Sequence, residues 1–133
     1  MKLALVTALA LIVGIPQLAH ASRYDAQQEV FKHCSGIEVE QDLRSCMQRL
    51  EAEVQARLQQ NLTVLTRNYG KDEPQLLELL NLSQAAWQQY VEAQCEVDTY
   101  YNRGTAYGSF KAACEISEAY KRADELEWMI NNP

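Results

Sequence analysis

The spacing of apolar residues constrains the fold of this chain more than any other feature, because they recur every three or four positions. The first series comprises Leu43, Met47, Leu50, Val54, Leu58, Leu62, Leu65 and Tyr69. This spacing places side chains on one face of an α-helix. We expect this helix to open at a capping box, Ser35-Gly36-Ile37-Glu38, or a few residues later, and to stop at Gly70.

Two further helices are predicted. Pro74 belongs in the first turn of the second helix, which should fade near Tyr101, and Ser109 can cap the third. The second series comprises Leu76, Leu79, Leu80, Trp87, Tyr90, Val91 and Val97. The third comprises Phe110, Ala113, Ile116, Tyr120, Ala123, Leu126 and Ile130. No stretch alternates as a strand would, so the sequence predicts an all-α, three-helix antiparallel bundle.

Residues 1–21 have the order of a cleavable signal peptide: a basic start at Lys2, an apolar centre and the small-residue pattern Ala19-His20-Ala21. The apolar centre is shorter than the ~20 residues that span a bilayer. We therefore expect cleavage before Ser22, a single domain over residues 22–133, and no membrane insertion. Export to the periplasm is expected, with secretion as the alternative.

Acidic residues outnumber basic ones, which gives the chain a net charge of −6. The signal segment contains one Lys and no acidic residue, so its removal changes the net charge to −7. Such a surface repels nucleic acid and attracts cationic proteins. A protein partner is therefore expected, and no nucleic acid.

Four cysteines, Cys34, Cys46, Cys95 and Cys114, follow the signal segment. An even count in a small exported chain indicates two disulfides, for which three pairings exist. We favour Cys34–Cys46 and Cys95–Cys114, because each pair closes a short loop across one junction between elements. The alternative is a metal site, but no spacing matches the close pairs of a zinc site.

Catalytic motifs are scarce. His33 is the only histidine left after cleavage, and it is expected to be a surface residue, although a nucleophilic constellation would depend on it. Carboxylates are numerous, which leaves a glycosidase-like pair open by count alone. No phosphate loop, haem motif or EF-hand is present, so we expect no enzyme activity, no cofactor and no metal.

The segment from Tyr100 to Gly108 has the composition of a recognition loop. Tyr100, Tyr101, Arg103 and Tyr107 are residue types favoured at binding hot spots, and a Cys95–Cys114 bridge would restrict the loop. The alternative is an ordinary connection whose tyrosines pack on the bundle end.

The two tryptophans have different expected places. Trp87 lies in the second apolar series and is expected in the core rather than on a binding surface. Trp128 lies off the third series, so we expect it to be partly exposed, or to cap the end of the bundle.

These residues resemble a known family, the N-terminal domain of the LprI-type lysozyme inhibitors. The pattern includes Gln84, Trp87, Tyr90 and Cys95, then Tyr107-Gly108-Ser109, Cys114, Arg122 and Leu126, with Cys34, Leu58 and Cys46 in the first half. The chain departs from the family pattern at Gln55, Gln59, Val91 and Ala119.

The resemblance implies a non-enzymatic binding protein of the bacterial envelope that blocks a lysozyme, with Trp87, Tyr90 and Arg122 as structural family residues. The alternative function is an envelope structural or adaptor protein that docks a periplasmic partner through a helix face. An exposed apolar stripe on the third helix, with Trp128 at its edge, would favour the adaptor. A hydrolase of wall sugars would require two carboxylates in one cleft.

Overall fold

The computed structural model describes residue 30 and residues 32–133, so the expected signal peptide and its cleavage point lie outside the described residues. Three helices lie wholly within the described residues: α1 (Glu40–Asp72), α2 (Pro74–Asp98) and α3 (Tyr107–Asn131). The described part of the chain contains no strand, which confirms the all-α prediction. None of the described helices combines the length and apolar character needed to cross a membrane.

Contacts between helices give their directions. Gly70 lies near the end of α1, and a Cβ atom placed on it would be 3.4 Å from Cδ2 of Leu77, near the start of α2. A disulfide joins Cys95 near the end of α2 to Cys114 near the start of α3. Consecutive helices are therefore antiparallel, which confirms the predicted bundle.

The core lies between all three helices, and α3 packs most extensively against α1. Its fully buried members include Val54, Leu58, Leu65, Leu80, Ala113, Ala123 and Leu126. Burial of each large aliphatic side chain stabilises the fold by about 1.5–3 kcal/mol. Asn61 is buried among them, and its Nδ2 donates to the Ala123 carbonyl oxygen at 3.0 Å, which joins α1 to α3.

Both predicted disulfides are confirmed. Cys34–Cys46 joins the segment before α1 to its second turn, and Cys95–Cys114 joins α2 to α3. No cysteine in the described residues is free. The first disulfide therefore fixes the segment before α1 on that helix, and the second fixes the junction between α2 and α3.

The capping box predicted for α1 is not formed, and the alternative of a start a few residues later is confirmed, whereas the predicted stop at Gly70 was wrong. Ser35 does not cap the helix, since its Oγ donates to the Lys32 carbonyl oxygen at 2.8 Å, and Gly36 takes a left-handed conformation with φ 77°. The helix begins at Glu40 without a side-chain cap. It continues through Gly70 and ends at Asp72, with Glu73 as its C-cap, because the residue before Pro74 is disfavoured in the helical conformation.

The predicted start of α3 was also wrong. The helix begins two residues before Ser109, at Tyr107, and its N-cap residue is Ala106 without a side-chain bond. A turn in which the Tyr107 amide donates to the Gly104 carbonyl oxygen leads directly into the helix. The end of α2 is Asp98, three residues before the predicted fading point at Tyr101.

The predicted core stripe of α2 was only partly right. Leu80 and Val91 are buried, and Leu76 and Trp87 are half-buried. The remaining members, Leu79, Tyr90 and Val97, are exposed. The reason is that α2 carries apolar residues on two faces, and spacing alone does not separate them.

Candidate functional site

The connection between α2 and α3 is organised around the carboxylate of Glu96. Its Oε1 accepts hydrogen bonds from the Tyr107 hydroxyl at 2.7 Å and from Lys111 Nζ at 2.5 Å. Its Oε2 accepts from Arg103 Nη2 at 3.2 Å. One acidic side chain of α2 therefore holds the loop and the first turns of α3.

The charges within this cluster reinforce one another. The hydrogen bond from Lys111, followed by that from Tyr107, lowers the pKa of Glu96 to about 2 from its usual 4.5. The same hydrogen bond with Glu96 raises the pKa of Lys111. Both groups are therefore ionised throughout the physiological pH range.

Aromatic rings surround the Arg103 guanidinium. Its carbon lies 4.9 Å from the centroid of the Tyr107 ring and 5.5 Å from that of Tyr100, which are cation–π distances. Arg103 Nε also donates to the Tyr100 carbonyl oxygen at 3.3 Å. Arg103 thus connects both ends of the loop, while its side chain remains about half exposed.

Two tyrosines extend from this framework into solvent. Tyr101 is 94 % exposed and Tyr100 is 60 % exposed, and their rings meet edge to face at 5.2 Å. Exposed tyrosines on a backbone that is held in place provide contact area and lose little conformational entropy on binding. We refer to residues 99–107 as the tyrosine loop.

The base of the tyrosine loop is buried. Thr99 is almost fully buried, and its hydroxyl donates to the Cys95 carbonyl oxygen at 2.6 Å. Cys95 and Cys114 are both buried at the disulfide below it. The loop is therefore anchored on a buried, disulfide-linked base, while Tyr100 and Tyr101 are exposed to solvent.

A groove of about 410 Å3 lies beside the loop, between all three helices. One carboxylate from each helix lines it, Glu51 from α1, Glu92 from α2 and Glu115 from α3, and Trp87 contributes an aromatic wall. Burial, then the negative charges of Glu51 and neighbouring carboxylates, raise the pKa of Glu115. Lys111, which also lines the groove, offsets part of this effect. We refer to this feature as the acidic groove.

Several positions of the family pattern meet at the acidic groove. The matching residues Leu58, Gln84 and Trp87 line it, and so do three of the four departures, Gln55, Gln59 and Val91. Three of the positions at which the chain departs from the family pattern therefore lie together in this groove.

Arg122 joins α2 to α3 from a buried position. Its Nε donates to Gln84 Oε1 at 3.1 Å, its Nη2 to Ser83 Oγ at 2.9 Å, and its Nη1 to Glu125 Oε2 at 2.9 Å. The Gln84 contact fixes a side chain of the acidic groove. Trp87 packs against both buried clusters of the core, while Tyr90 remains 43 % exposed.

The other sequence-predicted residues lie apart from these two features. His33 is exposed, and Trp128 is largely exposed at the far end of α3, as expected. Residues 30 and 32–133 contain no group of three His, Cys, Asp or Glu side chains placed to share a metal ion.

Two residues of the flanking helices that hold the tyrosine loop, Glu96 of α2 and Lys111 of α3, were missed in the sequence. Their positions in the sequence could have indicated the contact, because Glu96 directly follows Cys95 and Lys111 lies three residues before Cys114. A disulfide between these cysteines brings the two side chains within reach of each other.

The fold and these contacts agree with a comparison against protein-family models. The model described as "Lysozyme inhibitor LprI" matches residues 32–126. A search of curated proteins and a search of solved structures gave no match. The matched residues make up more than half of the chain and include both disulfides and the whole tyrosine loop. This chain belongs to the LprI lysozyme inhibitor family.

Proposed function

We propose that this protein is a non-enzymatic inhibitor that binds a cationic lysozyme in the periplasm or outside the cell. The observation that carries the proposal is the tyrosine loop: Tyr100 and Tyr101 are exposed on a loop held by Glu96 and the Cys95–Cys114 disulfide. Membership of the family and an excess of acidic residues support it. Opposite net charges accelerate association and make it sensitive to salt.

In this proposal the tyrosine loop covers or enters the substrate cleft of the lysozyme. Tyr100 and Tyr101 supply the contact area, and Arg103 faces the catalytic carboxylates. Arg103 also holds the loop through Glu96 and two rings, so its removal acts on both the contact and its support.

The Arg103→Lys variant separates these two roles. Lysine keeps the positive charge but lacks the planar group that stacks between the rings. Inhibition retained by Arg103→Lys would assign the residue to charge recognition, and inhibition lost would assign it to support of the loop.

The burial of the apolar stripe of α3 does not favour the alternative function, an envelope adaptor. The apolar stripe of this helix is buried at Ala113, Ile116, Ala123 and Leu126, so it offers no continuous docking face beside Trp128. A hydrolase of wall sugars would need two carboxylates that act together; burial raises the pKa of Glu115 in the acidic groove, but the family match is to an inhibitor.

The test is lysis of a peptidoglycan suspension by c-type, g-type and i-type lysozymes, with and without the oxidised mature protein. We expect inhibition of one class that weakens as salt rises, and no lysis by the protein alone. Arg103→Ala with Tyr107→Ala should abolish inhibition, and Trp128→Ala, an exposed aromatic at the other end of α3, is the matched control. Unchanged inhibition by the double variant would refute the loop assignment.

A further inference from the structure

The acidic groove has an apolar floor and polar walls. Leu58 and Val91 are buried in its floor, and Leu62 and Trp87 are half-buried beside them. Each wall is a row of polar side chains spaced four residues apart, which places the row on one side of its helix. The rows are Glu51, Gln55 and Gln59 on α1, and Gln84, Gln88 and Glu92 on α2. Each row extends about 12 Å at 1.5 Å per residue, so the groove suits an elongated polar ligand.

The groove has two chemically different ends. Because α1 and α2 are antiparallel, Glu51 and Glu92 lie at the same end of their rows. The negative charges of both act on Glu115 of α3, which places three carboxylates together. At the other end, Gln84 is held by Arg122, which lies further along α3. The groove therefore runs from a carboxylate end to an amide end.

The glutamine side chains of the groove are available to a ligand. Those of Gln55, Gln59 and Gln88 have no hydrogen-bond partner among the described residues. Gln84 Oε1 accepts from Arg122 Nε at 3.1 Å, which leaves the amide nitrogen of Gln84 to donate. An amide side chain both donates and accepts hydrogen bonds. The four amides therefore suit a ligand that carries donors and acceptors at short intervals.

The charges of the groove exclude an anionic ligand and do not require a cationic one. Its carboxylates repel anions. Lys111 Nζ lies 3.9 Å from Glu115 Oε1, so the chain itself supplies a cation at the carboxylate end. Carboxylates also accept strong hydrogen bonds from hydroxyl groups. These properties fit an uncharged ligand that is rich in hydroxyl groups.

Trp87 gives the groove a flat apolar surface. Its side chain packs against both buried clusters of the core, which fixes its position. The C–H face of a sugar ring is apolar and can lie flat on an aromatic ring, while the hydroxyl groups at the edge of the sugar meet the polar walls. The volume of about 410 Å3 falls within the range of roughly 300–1,000 Å3 that is usual for small-molecule sites.

We propose that the acidic groove binds a short, uncharged oligosaccharide. One sugar ring lies against Trp87, its hydroxyl groups bond to the glutamine amides, and further hydroxyl groups donate to Glu51 and Glu92. Because each of these hydrogen bonds replaces one with water, the affinity is modest, with a dissociation constant on the order of 1 mM. The site adds a second ligand to the protein and does not rest on inhibition of a lysozyme.

NMR titration of the oxidised mature protein with chitotriose and, separately, with cellotriose tests the proposal. The chain has two tryptophans, and only Trp87 lines the groove, whereas Trp128 is exposed near the end of α3. We expect the indole N–H signal of Trp87 to shift and saturate with at least one saccharide, while that of Trp128 stays unchanged. No shift of the Trp87 signal at roughly 10 mM of either saccharide, or equal shifts of both indole signals, would overturn the proposal.

Paired glutamine substitutions test the location of the site. Gln59→Ala with Gln88→Ala removes one amide from each wall and should weaken saccharide binding by about 10-fold or more. The matched control is Gln60→Ala with Gln89→Ala, which makes the same changes at the next exposed positions, about 100° around each helix and outside the groove. The control should bind as the wild type does, and equal losses in the two double variants would refute the assignment. Binding of N-acetyl-arginine amide in the groove, with neither saccharide bound, would identify a cation site instead.

Discussion

Removal of the Cys95–Cys114 disulfide should separate the stability of the fold from the order of the tyrosine loop. The change is Cys95→Ala with Cys114→Ala. Both cysteines are buried where α2 and α3 meet, below the loop. We expect a less stable protein whose loop also exchanges its amide hydrogens faster, because the contacts of Glu96 then hold it without the covalent link between α2 and α3.

The magnitude follows from the length of chain that the disulfide closes. Cys95 and Cys114 are separated by 19 residues, and the loop-entropy relation gives about 3 kcal/mol for a loop of this length. A domain of about 110 residues loses roughly 4 °C in Tm per kcal/mol, so the Tm should fall by roughly 12 °C.

The matched control is removal of the other disulfide, by Cys34→Ala with Cys46→Ala. Its separation of 12 residues gives a loss of similar size, also about 3 kcal/mol. This disulfide joins the segment before α1 to α1 and not α2 to α3, although Ile37 and Glu38 of that segment share a cleft with Thr105 and Ala106 of the tyrosine loop. The control should therefore lose similar stability, while its loop exchange rises much less than in the Cys95/Cys114 variant.

The assays are urea unfolding for stability and hydrogen exchange, read at residues 99–107, for the loop. Exchange should be measured well below the unfolding transition of both variants, so that global opening does not dominate. Equal acceleration of loop exchange in both double variants would refute the reasoning. So would unchanged exchange in the Cys95/Cys114 variant, since the disulfide would then add nothing to the loop.

Four further substitutions have defined outcomes. Leu126→Ala should destabilise the protein by about 2–5 kcal/mol in urea unfolding, since this fully buried side chain leaves a cavity in the core. Ser117→Ala should stabilise it by about 1 kcal/mol, because in the described structure the buried Ser117 hydroxyl has no hydrogen-bond partner; a loss of stability would contradict this. Glu96→Gln should accelerate loop exchange at pH 7. In the wild type the contribution of this carboxylate is present above pH about 4.5 and is lost only as the pH falls through about 2, so its loop should remain protected at pH 5. Glu115→Gln should raise Tm slightly at pH 7 and not at pH 4, because an acid with a raised folded-state pKa destabilises the fold only where it is ionised; an equal effect at both pH values would exclude this cause.

The sequence predicted the bundle well because its strongest signals were regular. Apolar spacing located all three helices, and the short separations of the cysteines led to the pairing that the structure contains. Helix ends were less predictable. Gly70 continues its helix where a stop was expected, because glycine permits a helix to end without requiring it, and α1 ends instead just before Pro74.

The candidate site was predicted only in part. Composition identified Tyr100, Tyr101, Arg103 and Tyr107, and the structure brings Arg103 together with two of these tyrosines. Glu96 was missed, since its role depends on partners 7, 11 and 15 residues away. The two apolar faces of α2 were merged, because the spacing of apolar residues does not show which face meets the other helices.

The central claim is that Tyr100 and Tyr101, the exposed tyrosines of the tyrosine loop, bind a lysozyme. It is tested most directly by measuring binding and lysis with the oxidised mature protein beside its Tyr100→Ser, Tyr101→Ser double variant, for each lysozyme class at low salt. We predict that the wild type binds and inhibits one class, and that the double variant keeps its fold but loses at least ~100-fold in affinity, as for loss of a binding hot spot. Equal inhibition by both proteins, or no inhibition of any class by the wild type at micromolar excess, would contradict the account.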